Sequence, residues 1–330
     1  MKTFLDAIVA GERLTVEGAR QAMLSALQDT VTDTQRAAFL TAFRVRGVTL
    51  DELDGFAQAL RSLATSVSLE PFSTVDLCGT GGDEKSSFNI STTTAFVLAG
   101  AGYKVAKHGN YAVSSMCGSS NVLEELGIRF SADREKLLSS LDRAGVCFLH
   151  APLFHPAMKA MAPVRKELAF RTVFNMLGPL LNPSQPAFQM NGVYDHELLR
   201  LYGLLLKRRG CRFATLVSRD GYDEVTLTGH VSVVTHRGEY ELAAGDFGLA
   251  GVNHAALRGG KTVAEAARIV RSVLEGAAER AIEDVVVANA GLAIFCNDSE
   301  MSLQDCVLQA RESIRSGRAL QALKRSADIA

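Results

Sequence analysis

The stretch Val75-Asp76-Leu77-Cys78-Gly79-Thr80-Gly81-Gly82-Asp83, continued by Asn89-Ile90-Ser91-Thr92, decides how this chain is interpreted. Its first four residues are typical of a short buried strand, and the apolar run Thr93 to Ala101 predicts a helix. The chain therefore passes from a strand through a glycine loop to a helix N-terminus. Backbone N–H groups and the positive end of a helix dipole favour a phosphate or pyrophosphate there. Asp83 adds an anion, which indicates a bridging cation or a sugar hydroxyl as a further partner.

The loop matches neither of the two common nucleotide fingerprints. G-x-G-x-x-G needs a different glycine spacing, and a P-loop ends in Gly-Lys-Ser/Thr. A tight glycine-rich turn is the alternative interpretation. One hydroxyl is enough to cap a helix, so we expect the others at this helix start to be free to bond a ligand. The hydroxyl residues are Ser86, Ser87, Ser91, Thr92, Thr93 and Thr94.

Length and composition favour a globular enzyme of two domains. The chain has 330 residues, of which 47% are hydrophobic and 22% charged. The net charge of −1 gives no basic field for nucleic acid, and no apolar run approaches bilayer length. The N-terminus lacks a secretory signal. The six cysteines are scattered without a C-x-x-C pair, which predicts reduced thiols in a cytoplasmic protein.

The pattern changes from helical to alternating at about residue 72. Two capping boxes, Thr32-x-x-Gln35 and Thr49-x-x-Glu52, start predicted helices, and Gly47 ends the first of them. Strand–helix alternation after Ser73 predicts an α/β class with a largely parallel sheet. Residues 228–262 are expected to carry antiparallel strands, while Val285 to Ala288 fits either a strand or a buried helix. The predicted strands are Val75–Leu77, Lys104–Ala106, Val146–Leu149 and Phe213–Val217.

A second cluster, Lys107-His108-Gly109-Asn110, follows the strand at Lys104 to Ala106. The carboxyl end of a strand is where an α/β sheet places ligand groups. Lys107 offers a point charge for a phosphate, and Asn110 offers both a donor and an acceptor. A solvated loop with a structural His108 is the alternative interpretation. The loop that follows is rich in hydroxyls, from Ser114, Ser115, Ser119 and Ser120.

Two further features suit a metal ion and a carboxylate ligand. Asp223-Glu224 offers two carboxylates for Mg²⁺, although exposed acids near a turn are the commoner fate of such a pair. Neighbours in a strand point to opposite faces, so a shared site requires irregular backbone or two ions. Arg165, on a helix expected to kink or break at Pro163, either holds a carboxylate with its planar fork or lies on the surface.

These motifs resemble those of the anthranilate phosphoribosyltransferases, in order and over nearly the whole chain. One further stretch takes part in the resemblance: Arg171-Thr172-x-Phe174-Asn175-x-Leu177-Gly178-Pro179-Leu180-x-Asn182-Pro183. The resemblance implies the nucleoside phosphorylase-like phosphoribosyltransferase fold. It implies a small all-helical domain, 1–71, with a helical contribution from about 155–185, and a larger α/β catalytic domain, 72–330. It also implies a homodimer through the helical domain.

The activity implied by the resemblance is a Mg²⁺-dependent transfer in tryptophan biosynthesis. The phosphoribosyl group of phosphoribosyl pyrophosphate (PRPP) passes to the amino group of anthranilate, giving N-(5-phosphoribosyl)anthranilate and pyrophosphate. An aromatic amine is barely protonated near neutral pH, so no strong general base is required, and His108 is the nearest candidate by sequence.

The resemblance also implies three sets of binding residues. The metal ligands would be Ser91, Asp223 and Glu224. Anthranilate would contact Gly79, Asn110 and Arg165, with His155 and Pro179 lining its path. PRPP would be held by Gly79, Gly82, Asp83, Ser87, Asn89, Ile90, Ser91, Thr92, Lys107, His108, Gly109, Asn110, Tyr111, Ala112, Val113, Ser114, Ser115 and Ser119.

The chain departs from the family pattern at three places. Tyr111 stands where the family usually has Arg, Gly118-Ser119-Ser120-Asn121 replaces Gly-Ser-Ala-Asp, and Phe170 replaces Gly before the Arg-Thr motif. A specialised relative acting on a substituted anthranilate is therefore one alternative. A pyrimidine nucleoside phosphorylase of the same fold and a nucleic-acid-binding relative are the others, and near-neutral charge disfavours the last.

Overall fold

The computed structural model describes residues 1–111, 117–297 and 300–329. The chain forms two compact units: Met1–Ser66 with Ala151–Pro183, and Val67–His150 with Ser184–Ala330. The first unit is helical and the second is an α/β unit, so the predicted fold class is confirmed. The division at residues 71 and 72 stays a prediction.

Local sequence signals start and stop the helices of the first unit. Both capping boxes form, because Thr32 and Thr49 each accept an N–H from the third helical residue, whose side chain bonds back. Gly47 ends its helix with a φ of +78°. The helices are Lys2–Val9, Val16–Ala26, Asp33–Arg46, Leu50–Ser62, Ala151–Phe154 and Ala162–Leu168, with 3₁₀ turns at Pro156–Met161, Val173–Met176 and Gly178–Leu180.

Aromatic packing and a proline shape this unit further. Phe43 packs edge-to-face on Phe39 at 5.0 Å and on Phe56 at 4.9 Å between ring centroids. The break near Pro163 is confirmed, but the proline occupies the first turn of Ala162–Leu168. It therefore starts a helix, where its missing N–H costs nothing, and does not kink a longer one.

The α/β unit is built on a seven-stranded sheet in the order β3-β2-β1-β4-β5-β6-β7. Strands β1 to β5 are parallel, and β6 and β7 join antiparallel. The predicted mostly parallel sheet is confirmed, including the antiparallel strands after residue 228. The strands are β1 (Thr74–Leu77), β2 (Lys104–Gly109), β3 (Val146–His150), β4 (Phe188–Gly192), β5 (Arg212–Ser218), β6 (Val231–Thr235) and β7 (Glu239–Leu242).

Strand β1 is central, with β2 on one side and β4 on the other. The chain therefore builds the sheet outward in one direction from β1 and later in the other. Such a switch in strand order opens a crevice at the carboxyl ends of the two strands, where α/β proteins bind ligands. Here that crevice receives the glycine loop after β1 and the chain after β4.

In the described part of this unit, eight α-helices accompany the sheet. The open assignment of Val285 to Ala288 resolves as helix, because these residues belong to an 18-residue helix whose middle is buried on all sides. The helices are Ile90–Gly100, Ser119–Glu125, Arg134–Ala144, His196–Arg208, Val263–Leu274, Arg280–Asn297, Leu303–Arg315 and Arg318–Ala327.

Candidate active site

The glycine loop is shaped around the carboxylate of Asp223. Gly81 donates its N–H to Asp223 Oδ2 at 2.8 Å. A Cβ on Gly79 would lie 2.6 Å from the same oxygen, and a Cβ on Gly192 would collide with the Asp223 backbone. Gly81 and Gly82 have φ values of +62° and +78°, which favour glycine. Thr80 N–H donates to Gly192 O at 2.8 Å, so the loop is held against the end of β4.

Asp223, which is buried, and Glu224, which is half-buried, form an acidic pair on irregular backbone, as a shared site requires. Burial, followed by repulsion from Asp83, raises the pKa of Asp223 to about 7. Burial, followed by repulsion from Asp223, raises the pKa of Glu224 to about 8, although Lys107 and Ser91 oppose the shift. Burial and like charge both make it costly to ionise these two carboxylates, and a bound cation would offset that cost. Carboxylate oxygens are also hard ligands, so the pair is suited to a divalent cation.

Lys107 connects the two loops. Its ammonium is buried and donates to Leu77 O and, at 3.3 Å, to Ser91 Oγ. The N–H of Ser91, in the first turn of Ile90–Gly100, donates to Glu224 Oε1 at 3.2 Å. A cation, a hydroxyl, a helix N-terminus and a carboxylate thus lie in one chain of contacts.

The His108 side chain does not belong to this chain of contacts. Successive side chains of a strand point to opposite faces of the sheet, so the His108 side chain leaves β2 on the face opposite Lys107. Its backbone N–H donates to Asp76 Oδ1 at 3.0 Å. The role of His108 as a base stays a prediction, and this geometry gives it no support.

The hydroxyls at the helix start are not all available. Thr93 Oγ1 donates to Asn89 O and Thr94 Oγ1 to Ile90 O, each at 2.8 Å, and both threonines are fully buried. The expectation that these two are free to bond a ligand is wrong, because a threonine inside a helix can satisfy its hydroxyl on the preceding turn. Thr92 is also buried, at 1% exposure.

Sequence reasoning missed the segment that supports the glycine loop from the far side. Phe88 N–H donates to Leu257 O and Gly259 N–H to Ser86 O, each at 2.9 Å. Ser87 pairs with Arg258 in an isolated bridge. Backbone pairing between distant segments leaves no pattern in either segment, so no local signal pointed to it. Asn89, in turn, donates from Nδ2 to Cys117 O at 3.1 Å.

The end of β2 is fastened to the helix Ser119–Glu125. Asn110 O accepts from Ser119 Oγ at 3.1 Å, and Tyr111 OH donates to Glu124 Oε1 at 2.8 Å. Tyr111 therefore binds an acid of its own chain where the family usually offers a cation. Gly109 is the last residue of β2. The predicted donor residues Ala112, Val113, Ser114 and Ser115 lie outside the described residues.

His150 ends β3 beside this helix. Its Nδ1 lies 2.9 Å from Ser120 Oγ, and its ring stacks on Phe130 with centroids 4.5 Å apart. Burial lowers the His150 pKa, and Glu124 opposes the shift only partly. In the first unit, burial likewise lowers the pKa of His155, against a hydrogen bond with the Leu181 backbone.

These histidines predict a loss of stability as the pH falls below about 6.5. The unfolded chain then takes up protons that the folded imidazoles resist, so the free energy of unfolding decreases until the folded pKa is passed. We expect His150→Gln to reduce this decrease between pH 7 and pH 5, measured by urea unfolding, while His155 keeps part of it. His196→Gln, at an exposed position, is the matched control, and an unchanged slope in His150→Gln would contradict the assignment.

The remaining predicted residues lie in the first unit. The Arg165 guanidinium stacks 5.2 Å from the Phe174 ring centroid, and burial lowers its pKa. Its side chain has no hydrogen bond or ion pair with any residue in 1–111, 117–297 or 300–329. His155 and Pro179 are buried, and Phe170 is exposed. A desolvated guanidinium on an aromatic face is suited to a planar carboxylate.

Three further features of the described residues concern metal binding, membrane-spanning helices and the state of the cysteines. No group of three or more His, Cys, Asp or Glu side chains in the described residues makes a metal cage of its own. No helix in the described part of the chain is long and apolar enough to span a membrane. All six cysteines are free thiols, as predicted.

Comparison with known proteins places both units in a family. The model of the glycosyl transferase family a/b domain matches residues 72–320, and that of the helical bundle domain matches residues 2–64. An anthranilate phosphoribosyltransferase of Cytophaga hutchinsonii is 47% identical over 99% of each chain. One of Flavobacterium johnsoniae is 46% identical over 100% of this chain and 99% of its own.

Solved structures agree. The crystal structure of the Thermus thermophilus anthranilate phosphoribosyltransferase has a TM-score of 0.92 and 36% identity, covering 99% of this chain and 98% of its own. The Saccharomyces cerevisiae enzyme in complex with PRPP and Mg also has a TM-score of 0.92, with 28% identity and coverage of 99% and 96%. The yeast enzyme has further been solved in complex with 4-fluoroanthranilate.

Proposed function

Because the chain belongs to the anthranilate phosphoribosyltransferases of the glycosyl transferase family, we propose that it transfers the phosphoribosyl group of PRPP to the amino nitrogen of anthranilate in tryptophan biosynthesis. The observation that carries the proposal is the contact between two loops at the switch point. The glycine loop encloses Asp223, while Lys107 bonds Ser91, whose N–H holds Glu224.

PRPP is the ligand that these loops suit best. Its pyrophosphate would bind at the positive end of the helix Ile90–Gly100 and beside the ammonium of Lys107, because these two groups lie next to each other. Asp83 remains available to a ribose hydroxyl or to a bridging cation. The PRPP-binding residues named in the sequence analysis keep these roles in the proposal, with the ammonium of Lys107 and the helix N-terminus at Ser91 adding to the charge compensation by Mg²⁺.

The same site suits Mg²⁺, which would be held by Asp223, Glu224 and Ser91. Bound Mg²⁺ would neutralise charge on the pyrophosphate oxygens. Asp223 and Glu224 are ionised in that state, because a cation offsets the burial and repulsion that raise their pKa values. Gly81 N–H fixes one oxygen of Asp223, and Ser91 N–H fixes one oxygen of Glu224, so each carboxylate presents a defined lone pair.

In the reaction, the bond between ribose C1 and the pyrophosphate oxygen breaks as the anthranilate nitrogen bonds to C1. Negative charge grows on the leaving group, and Lys107 and the backbone N–H groups of the loop stabilise it. The nitrogen lone pair of an aromatic amine is free near neutral pH, so the amine needs correct orientation toward ribose C1 and no strong base to deprotonate it before the attack. The amine loses its proton once the new bond has formed.

Arg165 is proposed to bind the carboxylate of anthranilate. Its guanidinium carbon lies over the Phe174 ring, and the side chain has no acidic partner among the described residues, so its fork is open to a ligand. We expect Arg165→Gln to raise the Michaelis constant for anthranilate about 10- to 100-fold, the worth of a charge-assisted bidentate contact. The Michaelis constant for PRPP should change less than threefold. Lys166→Gln, one residue along the helix, is the control, and equal effects on both substrates would contradict the role.

The chain is also proposed to form a homodimer through its helical unit. Exposed large apolar side chains are concentrated in this smaller unit, which holds Val9 (77% exposed), Val45 (84%), Leu63, Leu153 and Phe170. We expect the wild type to sediment as a dimer and Val45→Glu to shift it toward monomer at micromolar concentration. Leu308→Glu, at an exposed site of the other unit, should remain dimeric, and a monomeric wild type would rule the dimer out.

The test of the activity uses purified protein with PRPP, Mg²⁺ and anthranilate, followed by the loss of anthranilate fluorescence. Loss that requires all three components supports the proposal. Loss with 4-fluoroanthranilate but not with anthranilate would assign a substituted acceptor and direct attention to Tyr111 and Phe170. Loss with neither, in a protein that binds PRPP, would overturn the proposed acceptor.

A further inference from the structure

A cavity of about 310 Å³ lies in the α/β unit away from every residue assigned above to a substrate or metal. It is bounded by β3, the helix Arg134–Ala144, the segment before that helix, and Ser326 and Ile329 near the end of the helix Arg318–Ala327. Ile128, Leu137 and Phe148 are buried apolar residues of its wall, and Ile329 also lines it. The volume is at the lower end of the range for sites that bind small organic molecules, about 300 to 1,000 Å³.

The polar lining of this cavity is cationic. Arg129 and Lys136 both line it, and both are exposed residues. Neither side chain has an ion pair or a hydrogen bond with any residue of the described ranges. Arg134, on the same helix as Lys136, contrasts with them because it donates to Ser68 O and Glu70 O. No Asp or Glu lines the cavity.

We propose that this cavity binds a small aromatic carboxylate. The aromatic body would lie against the apolar wall, and the carboxylate would face Arg129 and Lys136, whose charges are uncompensated. The lining also disfavours an amino acid of the same shape. An α-ammonium group would lose water without gaining an acidic partner and would face two cations.

The occupant would touch a residue that leads toward the substrate loops. Phe130 lines the cavity and stacks on His150, which contacts Ser120 Oγ. Ser120 N–H and Ser119 Oγ both bond Asn110 O at the end of β2. The site is nevertheless defined by its own cavity and cations, so it stands or falls independently of the proposed reaction.

The absence of tryptophan from the chain permits a direct binding test. Indole-3-propionate can be titrated with protein and followed by its own indole fluorescence. Two probes of matched shape separate the contributions: indole-3-propionamide lacks the negative charge, and L-tryptophan adds an ammonium. We expect the propionate to bind at least about tenfold more tightly than either, since two ion pairs of modest strength are lost or opposed.

Variants locate the site. Arg129→Gln with Lys136→Gln should weaken indole-3-propionate at least about tenfold and leave the fold intact, because both side chains are exposed and neither has a hydrogen bond or ion pair within the described residues. Arg143→Gln with Lys324→Gln removes the same charge from the helices Arg134–Ala144 and Arg318–Ala327, at positions that do not line the cavity, and should bind like the wild type. In spectra of isoleucine methyl groups, the probe should shift Ile128 and Ile329 but not Ile8 in the helical unit.

Three outcomes would overturn the proposal. Equal binding of the propionate and the propionamide would remove the carboxylate from the recognition. Equal weakening by the two double variants would reduce the effect to overall charge. Binding that shifts Ile8 and leaves Ile128 and Ile329 unmoved would place the probe elsewhere.

Discussion

Replacing Asp223 by Asn together with Glu224 by Gln should lower Mg²⁺-dependent turnover by at least about a thousandfold. The amides keep the shape of the site but remove both anionic groups of the proposed metal site, and the leaving pyrophosphate would then lose the charge compensation that Mg²⁺ supplies, worth several kcal/mol in such sites. Turnover is measured as the loss of anthranilate fluorescence across a Mg²⁺ series. If the rate fell less than tenfold at saturating Mg²⁺, these residues would not hold the metal.

The fold should survive this double substitution. Burial and mutual repulsion raise the pKa values of both acids, so ionised Asp223 and Glu224 destabilise the metal-free protein, and neutral amides relieve that cost. At pH 8.5 without metal we expect the variant to melt no lower than the wild type. Glu239→Gln with Glu241→Gln, on the exposed face of β7, is the matched control and should retain both activity and melting temperature.

Lys107→Met should lower kcat/KM for PRPP about 100- to 1,000-fold. The substitution keeps the length of a buried side chain but removes the cation that contacts Ser91 beside the proposed pyrophosphate site. The effect is measured as kcat/KM for PRPP at saturating Mg²⁺ and anthranilate.

The control for Lys107 lies on the same strand. Lys104→Met removes an ammonium that bonds Leu141 O and Asp142 O at the other end of β2, so it should cost some stability and leave kcat/KM within about threefold. A loss confined to kcat/KM for anthranilate, with PRPP and pyrophosphate binding unchanged, would contradict a role for Lys107 on the donor.

Features encoded locally were predictable from the sequence. The capping boxes, the glycine stop at Gly47 and the strand–glycine loop–helix sequence depend on neighbouring residues, and all appear in the structure. Strand β4 was missed, because Phe188–Gly192 pairs between β1 and β5 and lacks a strong run of its own. The buried helix around Val285 to Ala288 was left open, since periodicity fades when a helix is covered on all sides.

The candidate site, like the fold, was only partly predictable from the sequence. Sequence motifs named Asp223, Glu224 and Lys107 as a group, but they did not indicate that Gly81 fixes Asp223 or that Ser91 N–H fixes Glu224. They also assigned ligand contacts to threonine hydroxyls that the helix itself consumes. Hydrogen bonding within an element competes with ligand binding, and only the three-dimensional arrangement decides between them.

The close approach of Gly79 and Gly192 to Asp223 has a consequence for attempts to redirect this scaffold. A Cβ at Gly192 would collide with the Asp223 backbone, and a Cβ at Gly79 would displace the Asp223 carboxylate. Mutational libraries that randomise these two positions should therefore consist mostly of inactive members, whatever the selected acceptor. Variation is better placed at Tyr111 and Phe170, which are exposed and depart from the family pattern already. Variants for new acceptors should therefore change exposed residues and keep Gly79 and Gly192.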